Sequence, residues 1–461
     1  MAARTQTNLT EGPILKKLLI FSLPILLGSI VTEFYHVADS IIVGQFIGAD
    51  ALAAVSAGAP VMTIINMFLI GLSSGSNVVI AQRVGAGDKE ALQKALGTVA
   101  LLTLTFSAFI TVVGLSVSAP LLRLLQTPAD IINDANAYLV VIFIGTIGNL
   151  VYNMGSGAIR GMGDSTWPFL SLLLCSGLNV VFDVIAVAIL GWGVPGVAIA
   201  TALSQLISGV GILIRLNRGG YVVHLSFKDI RLDKTEAKEV ALIGLPAGIQ
   251  NIGNALAAMC VQSCSNTFGA TFIAANSIVS KMENFAYIPI VAVSTALCTF
   301  VGQNIGQFKL DRIRKGINSS ILLCIAVGCV MGLGLVLSRN ILPFIFTTDH
   351  EVASIASSGL LVMSVVSTFH GVDRCLVNAM RGAGKSVVPM VTAQFGAFSR
   401  IPLAWFLAVK TGNYMGIFYA MAIASALRCG AIAVYYYCGG WKNAVEVMRI
   451  RKGFPEGGVK E

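Results

Sequence analysis

The chain has 461 residues, of which 56% are hydrophobic and 11% charged, with a formal net charge of +9. A soluble protein of this length carries about a quarter charged residues, so an ordinary soluble globular fold is excluded. The positive balance does not mark a nucleic-acid binder, because the charges gather in short clusters between long uncharged stretches.

In chain order, residues 1–12 form a polar tail. No Asp, Glu, Lys or Arg occurs in 51–82, 95–122, 135–159, 184–214 or 240–280. A spanning helix needs about 20 apolar residues. The gaps at 184–214 and 240–280 each hold most of two spans, divided at Gly191-Trp192-Gly193 and near Gly269. The pattern predicts spans near 14–38, 51–80, 92–118, 131–159, 165–189, 194–215, 240–267, 272–300, 317–338, 352–380, 387–409 and 414–438. The first stretch reads as a retained helix, since it lacks a small-residue cleavage site and carries polar groups in its second half. The short alternating segments of a membrane β-barrel are absent. The expected fold class is therefore an all-α polytopic membrane protein with twelve transmembrane helices.

With both termini on one side, that side collects 24 of the 31 Lys and Arg; Arg123, Arg339 and Lys410 lie opposite, and Lys281, Arg374, Arg400 and Arg428 fall inside spans. The positive-inside rule then places both termini in the cytoplasm, in a cell membrane crossed many times. The segment from Arg215 to Lys238 is the longest polar connection. Its basic residues, with those of 442–452, suit anionic lipid headgroups.

The chain also repeats itself at an offset of 221 residues. Gly48-Ala49 recurs as Gly269-Ala270, and Ala53-Ala54 as Ala274-Ala275. Gln82-x-x-Gly85 recurs as Gln303-x-x-Gly306. Arg160, Gly161, Gly163, Ser165 and Pro168 recur as Arg381, Gly382, Gly384, Ser386 and Pro389, while Leu23-Pro24 returns one residue out of phase as Leu245-Pro246. Six spans per half bring both halves into the membrane from the same side, so the repeats are parallel. Duplicated hydrophobic halves are a common build for secondary transporters, with the substrate site between them. The expected domains are a six-helix lobe over 1–218 and a second over 219–461, the latter beginning with the cytoplasmic linker and ending in a basic tail.

Other motifs carry less. The nine cysteines fall almost wholly within spans and read as small buried apolar residues; Cys260 and Cys264 share a face, but two thiols alone make a poor metal site. Arg160-Gly161-x-Gly163 and Arg381-Gly382-x-Gly384 read as helix stops at the membrane surface, where Gly permits the left-handed turn. They lack the strand–helix context of a nucleotide motif. No Walker-type sequence supports an ATP-driven pump, and no cofactor is implied.

Ionisable residues at membrane depth are costly and are by default functional candidates. Asn179 lies one turn before Asp183, and Ser176 three residues earlier, making one polar stripe. Asp39 lies deep in the first helix. Two carboxylates and a carboxamide in low dielectric suit a site that trades protons or binds a small cation through hard oxygen ligands. At the repeat offset Asp39 maps to Cys260, Asn179 to Arg400 and Asp183 to Ala404, which assigns the ion site to the first lobe. Glu33 and His36 share a face beside Phe34 and Tyr35; an acid with aromatics attracts lipophilic cations, and ordinary packing is the competing reading for the aromatics. Further along are Lys281, Glu283, His370, Asp373, Arg374, Arg400 and Arg428. Lys281 and Glu283 face opposite sides of a helix. His370 can meet Asp373 or Arg374, and Arg400 is a candidate partner for Asp373 or Glu283.

Together, the twelve spans in two repeats, Val37-Ala38-Asp39-Ser40-Ile41-Ile42-Val43-Gly44, the paired Gln-x-x-Gly elements and the paired Arg-Gly-x-Gly elements resemble the multidrug and toxic compound extrusion (MATE) family over nearly the whole chain. Asp39 with Asn179-x-x-x-Asp183 is similar to the branch named for the DNA-damage-inducible protein F. The resemblance implies export of drugs in exchange for protons or sodium ions. It implies that Asp39, Asn179 and Asp183 form the first-lobe ion site, with a proton or sodium as its occupant, and that Thr201 and Tyr138 are accessory groups. It also implies a bend of the first helix at Pro24, which is physically reasonable because proline interrupts the helical hydrogen-bond ladder. Other branches use acids in the second lobe, where this chain has Arg400, His370 and Asp373.

The resulting expectation is a secondary active antiporter embedded in the lipid bilayer, monomeric and not an enzyme, exporting lipophilic, often cationic xenobiotics by alternating access. Glu33, Tyr35, His36, Glu283, His370, Asp373 and Arg400 are the candidate cavity residues. A lipid-linked precursor flippase of the same broad superfamily is the alternative, kept by Arg374, Arg400 and Arg428. A membrane-embedded enzyme is the remote one, since no nucleophile–base or metal-binding constellation is present.

Overall fold

A computed structural model describes residues 6–218 and 220–439, excluding the side chains of His36, Ala49 and Asp50. The expected basic tail at 442–452 and the side chain of His36 therefore lie outside the described residues. The uncharged stretches become helices: α1 (Ile14–Phe46), α2 (Ala49–Ala86), α3 (Lys89–Leu124), α4 (Ile132–Gly161), α5 (Thr166–Asp183), α6 (Gly193–Arg218), α7 (Lys234–Asn266), α8 (Gly269–Gly306), α9 (Leu310–Ser338), α10 (His350–Gly382), α11 (Val387–Ala404) and α12 (Met415–Tyr437). No strand occurs among the described residues. Among the described residues, eleven candidate spans are long and apolar enough to cross a membrane; the twelfth expected span is α11, which carries Arg400. The protein is a multi-pass membrane protein.

A feature the sequence did not announce recurs with the repeat. α5 runs directly into a π-helical turn at Val184–Ile189, and α11 into one at Trp405–Val409. Asp183 and Ala404, equivalent in the repeat, are the last α-helical residues before each turn. Such π segments frequently mark functional sites.

The chain divides into two compact units. The first comprises residues 1–8 and 20–248, the second 9–19 and 249–461. Each therefore takes the opening turns of one long helix and the body of another: α1 passes from the second unit to the first after Leu19, ahead of Pro24, and α7 passes the other way after Gly248, just beyond Pro246.

In the first unit α4 packs against α2, α3 and α6. Its core includes Val43, Ala54, Leu122, Leu139, Phe143 and Val197. In the second unit the equivalent α10 packs against α8, α9 and α12, around Phe272, Ala356, Leu360, Met363 and Phe418. Small residues bring helices close, as expected where lipid supplies no hydrophobic drive between them. A Cβ placed on Gly71 of α2 would lie 2.2 Å from the Gly248 nitrogen of α7. Outward positions such as Ile144, Leu322, Val330 and Leu337 are exposed, as a lipid-facing surface requires.

The Arg-Gly-x-Gly motifs end their helices as expected. Gly163 and Gly384 adopt φ of 91° and 78°, a left-handed stop that favours glycine. Near Gln82-x-x-Gly85, Arg83 pairs with Glu236 at 3.0 Å and Glu239 at 2.7 Å on the first turns of α7. In the second unit Gln303 accepts the Leu9 N–H at 3.2 Å, and Asn304 and Arg312 donate to the Leu9 carbonyl.

Two expectations need correction. The 215–238 connection is shorter and less polar in practice: Arg215–Arg218 and Lys234–Lys238 are helical, and Tyr221, Val223 and Leu225 between them are buried. Alternating apolar residues within a polar segment were the available signal. Among the cysteines, Cys298, Cys324, Cys375 and Cys429 are buried, but Cys260, Cys329 and Cys438 are exposed.

Candidate ion and substrate sites

The polar stripe on α5 folds inward because its other faces are apolar and lipid-facing; Val181, next to it, is half exposed. Asn179 and Asp183 are both completely buried, and Thr201 on α6 nearly so. Asn179 Nδ2 donates to Thr201 Oγ1 at 3.2 Å. That bond satisfies the amide and turns its carbonyl oxygen away. Asn179 Oδ1 and both carboxyl oxygens of Asp183 are buried without a hydrogen-bond donor among the described residues.

The other first-unit candidates assemble around this stripe. Asp183 lies beside Asp39, and Tyr138 of α4 is close to both. Tyr35 reaches Thr201 and lies beside Asp39 and Tyr138. The structure thus groups Tyr35, expected as a cavity residue, with the ion-site side chains. Helical spacing could have shown this, since Tyr35 and Asp39 are four residues apart. Glu33 is half-buried and makes no ion pair among the described residues, while Phe34 is 67% exposed.

Buried oxygens without donors are expensive, and two adjoining carboxylates repel unless a proton or cation lies between them. The donor set is all oxygen, matching hard cations and protons rather than soft metals. No group of three or more His, Cys, Asp or Glu side chains placed to hold a metal ion occurs among the described residues.

The second-unit candidates form a different constellation. Arg428 of α12 makes a buried ion pair with Asp373 of α10. His370 Nδ1 lies 3.7 Å from Glu283 Oε1, its Nε2 meets Ser425 Oγ at 3.2 Å, and its ring stacks edge-on to Tyr287. Arg400, expected to neutralise Asp373 or Glu283, lies within electrostatic range of both but makes no close ion pair among the described residues, and its Nε is buried without a hydrogen-bond partner. His370 likewise turns to Glu283 rather than to Asp373 or Arg374. Sequence spacing cannot choose between partners on different helices. Lys281 and Glu283 do diverge as expected, Lys281 standing 5.6 Å from the Phe346 ring centroid.

Comparison with known proteins places this geometry in context. The profile of the MatE family matches residues 24–185 and again 246–406, together well over half the chain. "Probable multidrug resistance protein YoeA" of Bacillus subtilis is 26% identical over 437 residues, covering 92% of this chain and 93% of that protein. The "FAD transporter" of Shewanella oneidensis is 24% identical over 447 residues, covering 93% and 95%. A solved MOP superfamily transporter from Pyrococcus furiosus shares the fold with a TM-score of 0.87 and 24% identity, over 95% of this chain and 98% of that one.

Proposed function

The chain belongs to the MatE family, a family of transporters and not of enzymes, and on that premise we propose that it is an ion-coupled efflux antiporter for lipophilic compounds. The observation that carries this reading is the set of three donorless buried oxygens on Asn179 and Asp183, closed by Asp39. Such a set is stable only when a proton or small cation is at hand. Its affinity for that ion must differ between two arrangements of the transporter for the ion to do work.

In this proposal the coupling ion, a proton or sodium, enters from outside and neutralises Asp39 and Asp183, with Asn179 Oδ1 as a neutral ligand. Thr201 holds the Asn179 amide so that its oxygen faces the ion. Tyr138 and Tyr35 narrow the site and keep bulk water from it. Loading removes the repulsion that holds α1 away from α5, and α1 bends at Pro24, where one hydrogen bond of the ladder is already missing. The lobes 1–218 and 219–461 rock as a result, and substrate leaves. Glu33 and Tyr35 in the first unit, and Glu283, His370 and Arg400 in the second, are the groups that meet xenobiotic substrates, cationic ones at the acids and aromatic faces, while Asp373 is closed off by Arg428. The protein acts as a monomer in the cell membrane with both termini in the cytoplasm, the orientation that its Lys and Arg favour.

The test is uptake of a fluorescent lipophilic cation into inside-out vesicles, driven by a proton gradient alone or a sodium gradient alone. Wild type should accumulate the dye with one gradient and Asp39→Asn with neither. A folded Asp39→Asn that transports normally would overturn the coupling role.

A further inference from the structure

The second unit holds buried and half-buried positive charge that ion coupling does not use. Three guanidinium groups, Arg374, Arg400 and Arg428, share a helix cluster with two carboxylates, Asp373 and Glu283. Arg428 is committed to Asp373. Glu283 is turned toward His370. That leaves Arg374 and Arg400 without an ion pair among the described residues; like Arg428, each also has a buried Nε with no hydrogen-bond partner. Arg374 instead lies with its guanidinium 5.2 Å from the Tyr287 ring centroid. Arg400 lies within electrostatic range of Glu283, Tyr287, Asp373 and Arg428.

A purely structural arginine at membrane depth would be expected to pair fully, because an unpaired buried charge is costly. Arg374 of α10 and Arg400 of α11 are half-buried and make no ion pair among the described residues; Arg374 also meets the Tyr287 hydroxyl, and both keep donors in reserve. The guanidinium fork suits one kind of acceptor above others: a carboxylate or phosphate oxygen pair. The repeat adds an independent argument. Arg400 stands where the first half has Asn179, so one helix position presents an oxygen ligand in the first unit and a cationic donor in the second. The π-helical turns that follow α5 and α11 mark the same place in each half.

We propose that Arg374 and Arg400, bordered by Tyr287, form a binding site for the anionic head, a carboxylate or phosphate, of an amphiphilic compound that the protein moves. This rests on the transporter reading and adds a substrate class to it: amphiphiles with an acidic group, zwitterions included. The acidic head would meet the two guanidinium groups, and Tyr287 would face the adjoining apolar part.

The test is equilibrium binding to the purified full chain in detergent, with no gradient. The probes are a dansyl-labelled fatty acid and its methyl ester, with phosphatidylglycerol and phosphatidylcholine as competitors. The acid should bind at least about tenfold more tightly than the ester, as expected for a charge-assisted fork. Arg400→Gln should remove that preference, and Arg400→Lys should restore part of it. Displacement by phosphatidylglycerol but not phosphatidylcholine would assign the site to a lipid headgroup; displacement by neither would assign it to a free amphiphilic acid. Equal binding of acid and ester to wild type, or an unchanged preference in Arg400→Gln, overturns the proposal. The acid–ester contrast in wild type decides even if the variants do not fold. Lipophilic-cation uptake, measured separately, keeps the outcomes apart: acid preference without gradient-driven uptake removes the antiport reading alone, and uptake without acid preference removes this site alone.

Discussion

Arg428 closes on Asp373 across α12 and α10, and the pair is nearly inaccessible, with side chains 6% and 1% exposed. The pairing fixes the charge pattern of the second unit. It consumes the Asp373 carboxylate's charge and leaves Arg374 and Arg400 without an ion pair among the described residues.

Asp373→Asn should therefore destabilise the protein severely, by about 3–5 kcal/mol, because it leaves Arg428 charged and buried without a counter-ion. The double substitution Asp373→Asn with Arg428→Met should recover most of that loss. Thermal unfolding of the detergent-solubilised variants, followed by size-exclusion recovery, reads both. A double variant no more stable than Asp373→Asn would show that the pair's role is not mutual neutralisation.

Asp183→Asn should reduce gradient-driven uptake to the level without a gradient while leaving the protein folded, since both Asp183 oxygens lack partners that substitution could break. Thr201→Val should act more gently. It removes the acceptor for the Asn179 amide and leaves a buried N–H unsatisfied, at a cost of about 1–3 kcal/mol. The expected signature is weaker ion affinity with some transport retained at high ion concentration. Uptake measured against ion concentration separates the two variants.

Much of this was legible in the sequence, and the limits have a physical origin. The spans were readable because membrane helices must be long, apolar and nearly free of charge. Asp183 and Asn179 were readable because four residues make one helical turn, so their common face follows from spacing alone. Gly163 and Gly384 were readable as stops because few other residues take a left-handed conformation without strain. The Arg428–Asp373 pair was not readable: it joins α12 to α10, and three arginines competed for the acids. The π-helical turns at Val184–Ile189 and Trp405–Val409 were invisible because apolar residues such as Val, Ile, Leu and Ala suit α- and π-turns equally. The buried linker was hidden because its charges dominate its composition while its alternate residues, Tyr221, Val223 and Leu225, do the packing.

Tyr221 holds that linker to the first unit. Its hydroxyl accepts from Arg215 Nε and donates to Asp164 Oδ2, both at 2.9 Å. Burial, and then the Asp164 charge, push the phenol above its ordinary range. A group whose folded-state pKa is raised stabilises the fold below its unfolded value and loses that contribution as pH rises through the folded one. The linker should stay docked across neutral pH and loosen only above about pH 10. Tyr221→Phe should expose residues 220–233 to protease at neutral pH, at a cost of about 1–3 kcal/mol, and should remove the alkaline step. Limited proteolysis against pH checks both.

Gly71 sets how closely α2 can approach the opening half of α7. A Cβ there would meet the Gly248 nitrogen at 2.2 Å and its Cα at 2.3 Å, and a Cβ on the nearby Gly75 would meet the Val240 carbonyl oxygen at 2.5 Å. These contacts are with backbone, which cannot rotate away as a side-chain tip would. Gly71→Ala should therefore force the helices apart, at a cost of about 1–3 kcal/mol typical of overpacking. Any gain in helix propensity from replacing glycine is about 1 kcal/mol, too little to offset a clash of this size. Because Pro246 lies two residues before Gly248, the displaced segment includes the proline that matches Pro24 in the repeat. Gly71→Ala should lower the unfolding temperature and also slow transport, whereas Gly177→Ala, where an added Cβ meets nothing within 4 Å, should leave the unfolding temperature unchanged or slightly raised. Equal thermal stability of the two variants would show that α2 and α7 can separate at no cost.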